Sequence, residues 1–200
     1  MTGELAALGP DTVHVVVDMQ RLFDEDTGWR VPTLASIVPP IARLIEHRPD
    51  RALYPRFITP STLEAANGAW QTYYRQWPQV IRHRLPPGIF DLIAPLARHA
   101  APEQQIDKEG FSAFSAPSFA ERLRDLGAAT LVLSGVETDV CVLATALDAV
   151  DRGFRVVVAV DAVTSFSPAG HRATLDHVLP RFEHMLDLAV SADILAAWNK

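Results

Sequence analysis

Residues 130–164, TLVLSGVETDVCVLATALDAVDRGFRVVVAVDAVT, decide the fold. Thr130–Ser134 is a short apolar run closed by Gly135, which predicts a buried strand that stops at a turn. Thr138 and Asp139 supply N-cap chemistry, because their side-chain oxygens can accept the unpaired N–H groups of a first helical turn. Val140, Leu143, Ala144, Leu147 and Val150 then recur at helical spacing and form one apolar stripe. Gly153 is a suitable stop, and Arg155–Val160 predicts the next strand, ending at Asp161. Together these make a βαβ unit, whose strands should be parallel and whose crossover should be right-handed. Cys141 falls in the first turn of the helix, just past a strand end, where the helix N-terminus favours a thiolate. Open α/β sheets also hold their ligands beyond the carboxyl ends of the strands. Free cysteine is equally at home as inert packing, so position alone leaves the thiol's role open.

The totals bound the answer. Two hundred residues suit one domain, and a hydrophobic fraction of 48% with 21% charged residues is globular in character. A net charge of −6 without a dense Lys/Arg patch argues against nucleic acid or an anionic membrane as partner. One cysteine excludes an internal disulfide and any Cys-rich metal cluster. The N-terminal MTGELAALGPDT lacks a basic start and a long apolar segment, and no apolar run approaches the ~20 residues needed to cross a bilayer. A soluble, cytoplasmic chain is expected.

Outward from the central unit, Val13–Met19 (VHVVVDM) predicts a central parallel strand that ends in Asp18. A carboxylate there needs a partner if buried; it serves either as a loop cap or as a base at the active edge of the sheet. Residues 32–45 carry a helical pattern interrupted by Pro39 and Pro40, which predicts a kink or a fresh start near Ile41. Arg51–Thr59 is a second strand, with Pro55 implying a bulge or an edge position. Trp70, Tyr73, Tyr74 and Trp77 crowd the next segment; Trp70, Tyr73 and Trp77 share helical spacing and read as packing, a pocket wall or a subunit interface. Ile89–His99 predicts a helix and Gln104–Asp107 a third strand, with Lys108 directly after it, where a surface lysine is the default. Ser118–Leu126 reads as a helix N-capped by Ser118 with Glu121 completing a capping box. Gly170–Met185 predicts a long helix with Pro180 inside it or between two pieces, Leu186–Val190 a last strand, and Ser191 or Asp193 the cap of a terminal helix. His171, His177 and His184 lack the i, i+4 spacing of helical metal sites, and no phosphate-binding glycine motif is present. No cofactor and no metal are expected.

Asp18, Lys108 and Cys141 each follow a predicted parallel strand, and in a doubly wound sheet such ends converge on one crevice. Lys108 would favour the thiolate, and Asp18 would take and return a proton. In VVVDMQ with Asp18, DKEGFSAF with Lys108 and SGVETDVCVLATALDAVDRGFRVVVAVDAV with Cys141, the chain resembles the isochorismatase-like cysteine hydrolases, among them nicotinamidases, N-carbamoylsarcosine amidase and ureide hydrolases. The resemblance spans nearly the whole chain. It implies a single domain over 1–200: a three-layer, doubly wound, six-stranded parallel sheet with helices on both faces. It also implies catalysis by Asp18, Lys108 and Cys141, a cis Val136–Glu137 peptide, and an oxyanion hole from the N–H groups of Glu137 and Cys141. A homo-oligomer, dimer or tetramer, is implied as well.

Departures from the family pattern narrow the expectation. Nicotinamidases of this family carry an Asp-x-His metal motif after the second strand, where this chain reads RFITPST. Members acting on isochorismate typically lack the nucleophilic cysteine, which this chain has. The expected activity is therefore metal-independent cleavage of a C–N bond in a small amide or ureide through a thioester, with Phe23, Trp70, Tyr73, Trp77 and Phe111 as pocket wall. The alternatives are isochorismatase-type vinyl-ether hydrolysis with Asp18 as acid, or a non-catalytic thiol sensor or binding protein on the same fold.

Overall fold

A computed structural model describes residues 5–198; residues 1–4, within the stretch read for a leader, and 199–200 lie outside the described residues. The helices and strands follow in the order β1 Thr12–Val17, α1 Arg21–Asp24, α2 Leu34–His47, β2 Ala52–Phe57, α3 Ala69–Gln76, α4 Ala94–Ala97, β3 Gln105–Lys108, α5 Pro117–Asp125, β4 Thr130–Gly135, α6 Leu143–Asp151, β5 Arg155–Val163, α7 Pro168–Ala173, β6 Leu186–Ala189 and α8 Ser191–Ala197. All six strands are parallel and lie in the order β3-β2-β1-β4-β5-β6. The chain therefore winds outward from β1 to β3 and then, from β4, in the opposite direction. With right-handed crossovers, reversal of direction sends the connecting helices to opposite faces, so α2 and α6 flank different sides of the sheet. β1 and β4 meet at the reversal, paired in register from Thr12–Thr130 to Val17–Gly135.

Both central strands are buried along their whole length, which is why they read as uninterrupted apolar runs. Gly135 is required at the end of β4. Its φ is +107°, and a Cβ would collide with the backbone of Val17 on the paired strand.

Several local expectations need correction. Helix α2 runs unbroken through Pro39 and Pro40. The carbonyls that lose their donors belong to Ala35 and Ser36, which are exposed, so water can replace the missing N–H groups. Strand β2 lies inside the sheet, not at its edge. Pro55 is tolerated because the β1–β2 ladder covers only Ala52 and Leu53, and the Pro55 carbonyl takes the Asp18 N–H instead (3.0 Å). The helix expected over 89–99 shrinks to Ala94–Ala97, because Leu92 pairs as a β-bridge with Gln20 and holds the preceding chain extended. Helix α5 begins at Pro117 with Ala116 at its N-cap, so Ser118 caps nothing; proline's fixed φ suits the first helical position. Past α7 the expected long helix divides at Leu179–Phe182, where Pro180 opens a tighter turn. Strand β5 continues through Asp161 to Val163, with a register shift opposite Leu133 and Gly135. Ser191 donates to Asp161 (2.6 Å), and neither it nor Asp193 caps α8, which has Val190 at its N-cap.

Candidate active site

Strand ends β1 and β3 bring Asp18 and Lys108 together, and Cys141 lies in the turn that follows β4. Asp18 follows β1 with φ +53°, a left-handed conformation that aspartate tolerates better than most residues. Its N–H is held by the Pro55 carbonyl and its own carbonyl accepts the Gln20 N–H (2.8 Å). Lys108 is the last residue of β3 and is buried to 1%, contrary to the default for a lysine. Its ammonium donates to Asp18 Oδ2 (2.9 Å), Gly110 O (3.1 Å) and Phe111 O (3.0 Å), which uses all three of its N–H groups. Nζ also lies 4.6 Å from the centroid of the Phe57 ring. Asp18 Oδ1 has no hydrogen-bond partner among the described residues, although the residue is fully buried.

Cys141 sits opposite, in a π-helical turn, Thr138–Val142, that leads into α6. The Glu137 carbonyl accepts Val140 N–H and Val142 N–H, both at 3.1 Å. In an α-helix that carbonyl would instead take the Cys141 N–H, so the wider turn releases the N–H from its ordinary acceptor. The Val136–Glu137 peptide is cis. Thr138 and Asp139, expected as caps, are turned to other work. Thr138 Oγ1 bonds His171 Nδ1 (2.9 Å), and Asp139 pairs with the Ser165 hydroxyl.

The electrostatics depart from the simplest expectation. Burial pushes the Cys141 thiol well above its ordinary pKa; Lys108 pulls it back, and the charges of Asp18 and Glu137 push it further up. Burial likewise raises Asp18, against the opposing pull of Lys108 and Cys141. With Cys141 only 5% exposed, burial opposes the thiolate that the helix position and Lys108 favour.

The aromatic residues gather around this centre unequally. Phe111 packs on Trp70 (centroids 4.8 Å) and Tyr73 (6.3 Å), and Tyr73 senses the charges of Glu137 and Cys141. Phe23 is core, stacked behind Trp29, and Trp77 lies past the end of α3 in the outer cluster with Tyr74, Val80 and Ile81. Trp29, which the helical spacing of the aromatic segment did not include, joins the two groups by touching Phe23, Phe57, Tyr73 and Tyr74.

Two further residues, inside the stretches quoted with Asp18 and Cys141, tie neighbouring loops to the site. Gln20 Oε1 accepts the Phe57 N–H (2.6 Å) while its Nε2 donates to the carbonyls of Phe57 (3.1 Å) and Phe90 (2.9 Å). Thr145 Oγ1 donates to the Cys141 carbonyl (2.7 Å) and accepts the Ala113 N–H (3.0 Å), tying the loop after β3 to the Cys141 helix. The one sequence signal was a polar residue amid an apolar pattern.

A metal does not fit this site. Past the end of β2 the side chains are Ile58, Thr59 and Pro60, and no cluster of His, Cys, Asp and Glu suited to a metal occurs among the described residues.

The chain matches the isochorismatase domain over residues 12–190. It is 31% identical over 132 residues to the isochorismatase family protein PncA of Bacillus subtilis, covering 66% of this chain and 62% of the relative. It is 33% identical over 86 residues to nicotinamidase 3 of Arabidopsis thaliana, 43% of each. The matched stretches thus span less than two thirds of these relatives. A crystal structure of a cysteine hydrolase from Pseudomonas syringae pv. phaseolicola superposes with a TM-score of 0.77 at 24% identity, over 98% of both chains, and so shares the fold. With that match running from the first strand to the last, the chain belongs to the isochorismatase family.

Proposed function

We propose that the protein is a metal-independent cysteine hydrolase that cleaves a C–N bond of a small amide or ureide through a thioester on Cys141. The observation that carries this is the buried Lys108–Asp18 pair, 2.9 Å apart, with one carboxylate oxygen left unpartnered beside the sole thiol. Lys108 holds the carboxylate ionised and oriented. As Sγ attacks the substrate carbonyl, Asp18 accepts the thiol proton; the carbonyl oxygen takes up negative charge and lies against the N–H groups of Glu137 and Cys141. Collapse of the tetrahedral species breaks the C–N bond, and protonated Asp18 returns its proton to the departing nitrogen. Water then attacks the thioester, giving its proton to Asp18, and the acid and free thiol are released. Proton transfer coupled to attack suits a thiol whose pKa burial pushes up. Trp70, Tyr73 and Phe111 would wall the pocket.

Names of relatives support the amide class: a nicotinamidase and a maleamate amidohydrolase are among them. The test is ammonia release from a panel of small primary amides and ureides. Wild type should turn over at least one member, and Cys141→Ala should abolish that turnover. Full turnover by Cys141→Ala would remove the covalent step; pyruvate release from isochorismate that survives Cys141→Ala would favour vinyl-ether chemistry instead. The family likeness also makes a homo-oligomer part of this reading, and sedimentation showing only monomer at micromolar concentration would refute it.

A further inference from the structure

The three groups that accept from Lys108 are not equally anchored. Asp18 is fully buried at the end of β1. The other two, the carbonyls of Gly110 and Phe111, belong to the loop between β3 and α5, where residues 109–112 are exposed or half-buried and little apolar packing fixes the backbone. What fixes it comes from the helix that follows Cys141. Ser112 Oγ donates to Asp148 Oδ2 (2.8 Å), and the Ala113 N–H donates to Thr145 Oγ1 (3.0 Å). Thr145, Asp148 and Arg152 are spaced i, i+3 and i+7, so they share one face of α6 and its C-terminal cap. Arg152 donates from Nε to Asp148 Oδ1 (2.7 Å), and its guanidinium carbon lies 4.6 Å from the centroid of the Phe114 ring. Asp148 thus spends one carboxylate oxygen on the loop and the other on the arginine that covers the loop. Inside the loop, Ser112 Oγ accepts the Phe114 N–H (3.1 Å) and Ser115 Oγ accepts the Gly110 N–H (3.1 Å), which carries the constraint back to a residue whose carbonyl meets Lys108. Among the described residues, no other hydrogen bond links residues 109–115 to another element, Lys108 aside.

We infer that Asp148 is a positioning residue for Lys108: through Ser112, and with Thr145 and Arg152 on either side, it holds the loop so that the Gly110 and Phe111 carbonyls stay on the ammonium. A lysine head on a flexible four-carbon stem keeps one place only where its acceptors are fixed. The helix that starts beside the thiol therefore sets the place of the cation that pairs with Asp18. This rests on the hydrolase reading for what the ammonium does there, whereas its position can be read from Lys108 itself.

Lysine occurs only at positions 108 and 200, so Lys200→Arg leaves Lys108 alone to report. Nitrogen-isotope labelling of lysine Nζ then gives one ammonium signal by NMR, and its hydrogen-exchange rate measures how well the three acceptors hold it. In this background Asp148→Ala should speed exchange by about tenfold, the change in open population expected when one hydrogen bond to a charged acceptor is lost. Ser112→Ala removes the other partner and should do the same. Asp148→Asn keeps an oxygen for Ser112 and should stay within about threefold of the parent. Ile194→Val truncates a core residue of α8, which packs on α2 across the sheet from α6, and lowers global stability without touching the loop. Urea unfolding of each variant supplies the comparison. If the two alanine variants speed exchange no more than Ile194→Val does for the same loss of stability, or if Asp148→Asn speeds it as much as Asp148→Ala, the inference is overturned. Faster exchange in both alanine variants, from a wild type that cleaves no amide or ureide and forms no acyl adduct on Cys141, keeps Asp148 as the positioning residue and defeats the hydrolase reading alone.

Discussion

Replacing Lys108 with methionine, a side chain of similar length without charge, isolates what the buried pair contributes. Both partners are fully buried as side chains, so the variant leaves the Asp18 carboxylate with no counter-charge, and the carbonyls of Gly110 and Phe111 lose their shared donor. Removing one member of a buried pair costs about 3–5 kcal/mol, most of it the penalty of an uncompensated charge. That penalty has a pH signature. Burial already holds Asp18 above its ordinary pKa in the folded protein, and loss of Lys108 removes an opposing pull. A carboxyl whose folded pKa is raised binds its proton more tightly when folded. Its stabilising contribution is therefore present below the unfolded pKa of about 4 and is lost as pH rises through the folded value. The deficit of Lys108→Met should accordingly be largest at neutral pH and shrink on acidification towards about pH 4. Asp18→Asn in the Lys108→Met background should recover much of it by removing the charge. Urea unfolding of wild type, Lys108→Met, Asp18→Asn and the double variant across this range provides the readout. A neutral-pH deficit below about 1 kcal/mol, a deficit that grows in acid, or a double variant no better than Lys108→Met would refute the reasoning.

Other outcomes follow from single features. Gly135→Ala places a Cβ against the Val17 backbone at positive φ, so it should destabilise by more than about 3 kcal/mol or prevent folding, as measured by chemical denaturation. His14, bonded to Ser134 (2.8 Å) inside the sheet, has its pKa lowered to about 3 by burial; wild type should lose up to about 1.4 kcal/mol per pH unit as pH falls below the unfolded value of about 6.5, and His14→Gln should flatten that slope in a pH series of unfolding curves. Thr145→Val cuts the tie between the Ala113 N–H and the Cys141 carbonyl, and should lower stability by about 1–3 kcal/mol and reduce kcat more than it raises KM. Asp18→Asn leaves the buried Lys108 ammonium without its counter-charge, so it should lower stability as well as slow turnover by about a hundredfold or more in steady-state assays.

The βαβ unit and β1 were legible because strands buried on both faces are mostly apolar, the His14–Ser134 pair satisfying each other inside the sheet. Asp18, Lys108 and Cys141 were legible as candidates because each follows a predicted strand and falls in a stretch that resembles the family. What stayed hidden depends on partners distant in sequence. Thr138 and Asp139 have the chemistry of caps, but His171 and Ser165, from the chain after β5, claim them first. The Ile89–His99 pattern is apolar enough for a helix, yet the Gln20–Leu92 bridge holds its start extended. The burial that pushes the thiol up was hidden for a related reason: the helix terminus and Lys108 are visible in sequence, whereas burial, the larger effect, is a property of the closed fold. Trp29 escaped notice because it comes from another segment and meets the aromatic cluster only in space.

The most direct test of the covalent account is the intact mass of the enzyme, acid-quenched during turnover of an amide it cleaves. The account predicts an added acyl mass, substrate minus its amine, on the peptide containing Cys141, released by hydroxylamine and missing in Cys141→Ala. Turnover with no adduct at any quench time, together with an active Cys141→Ala protein, would contradict it.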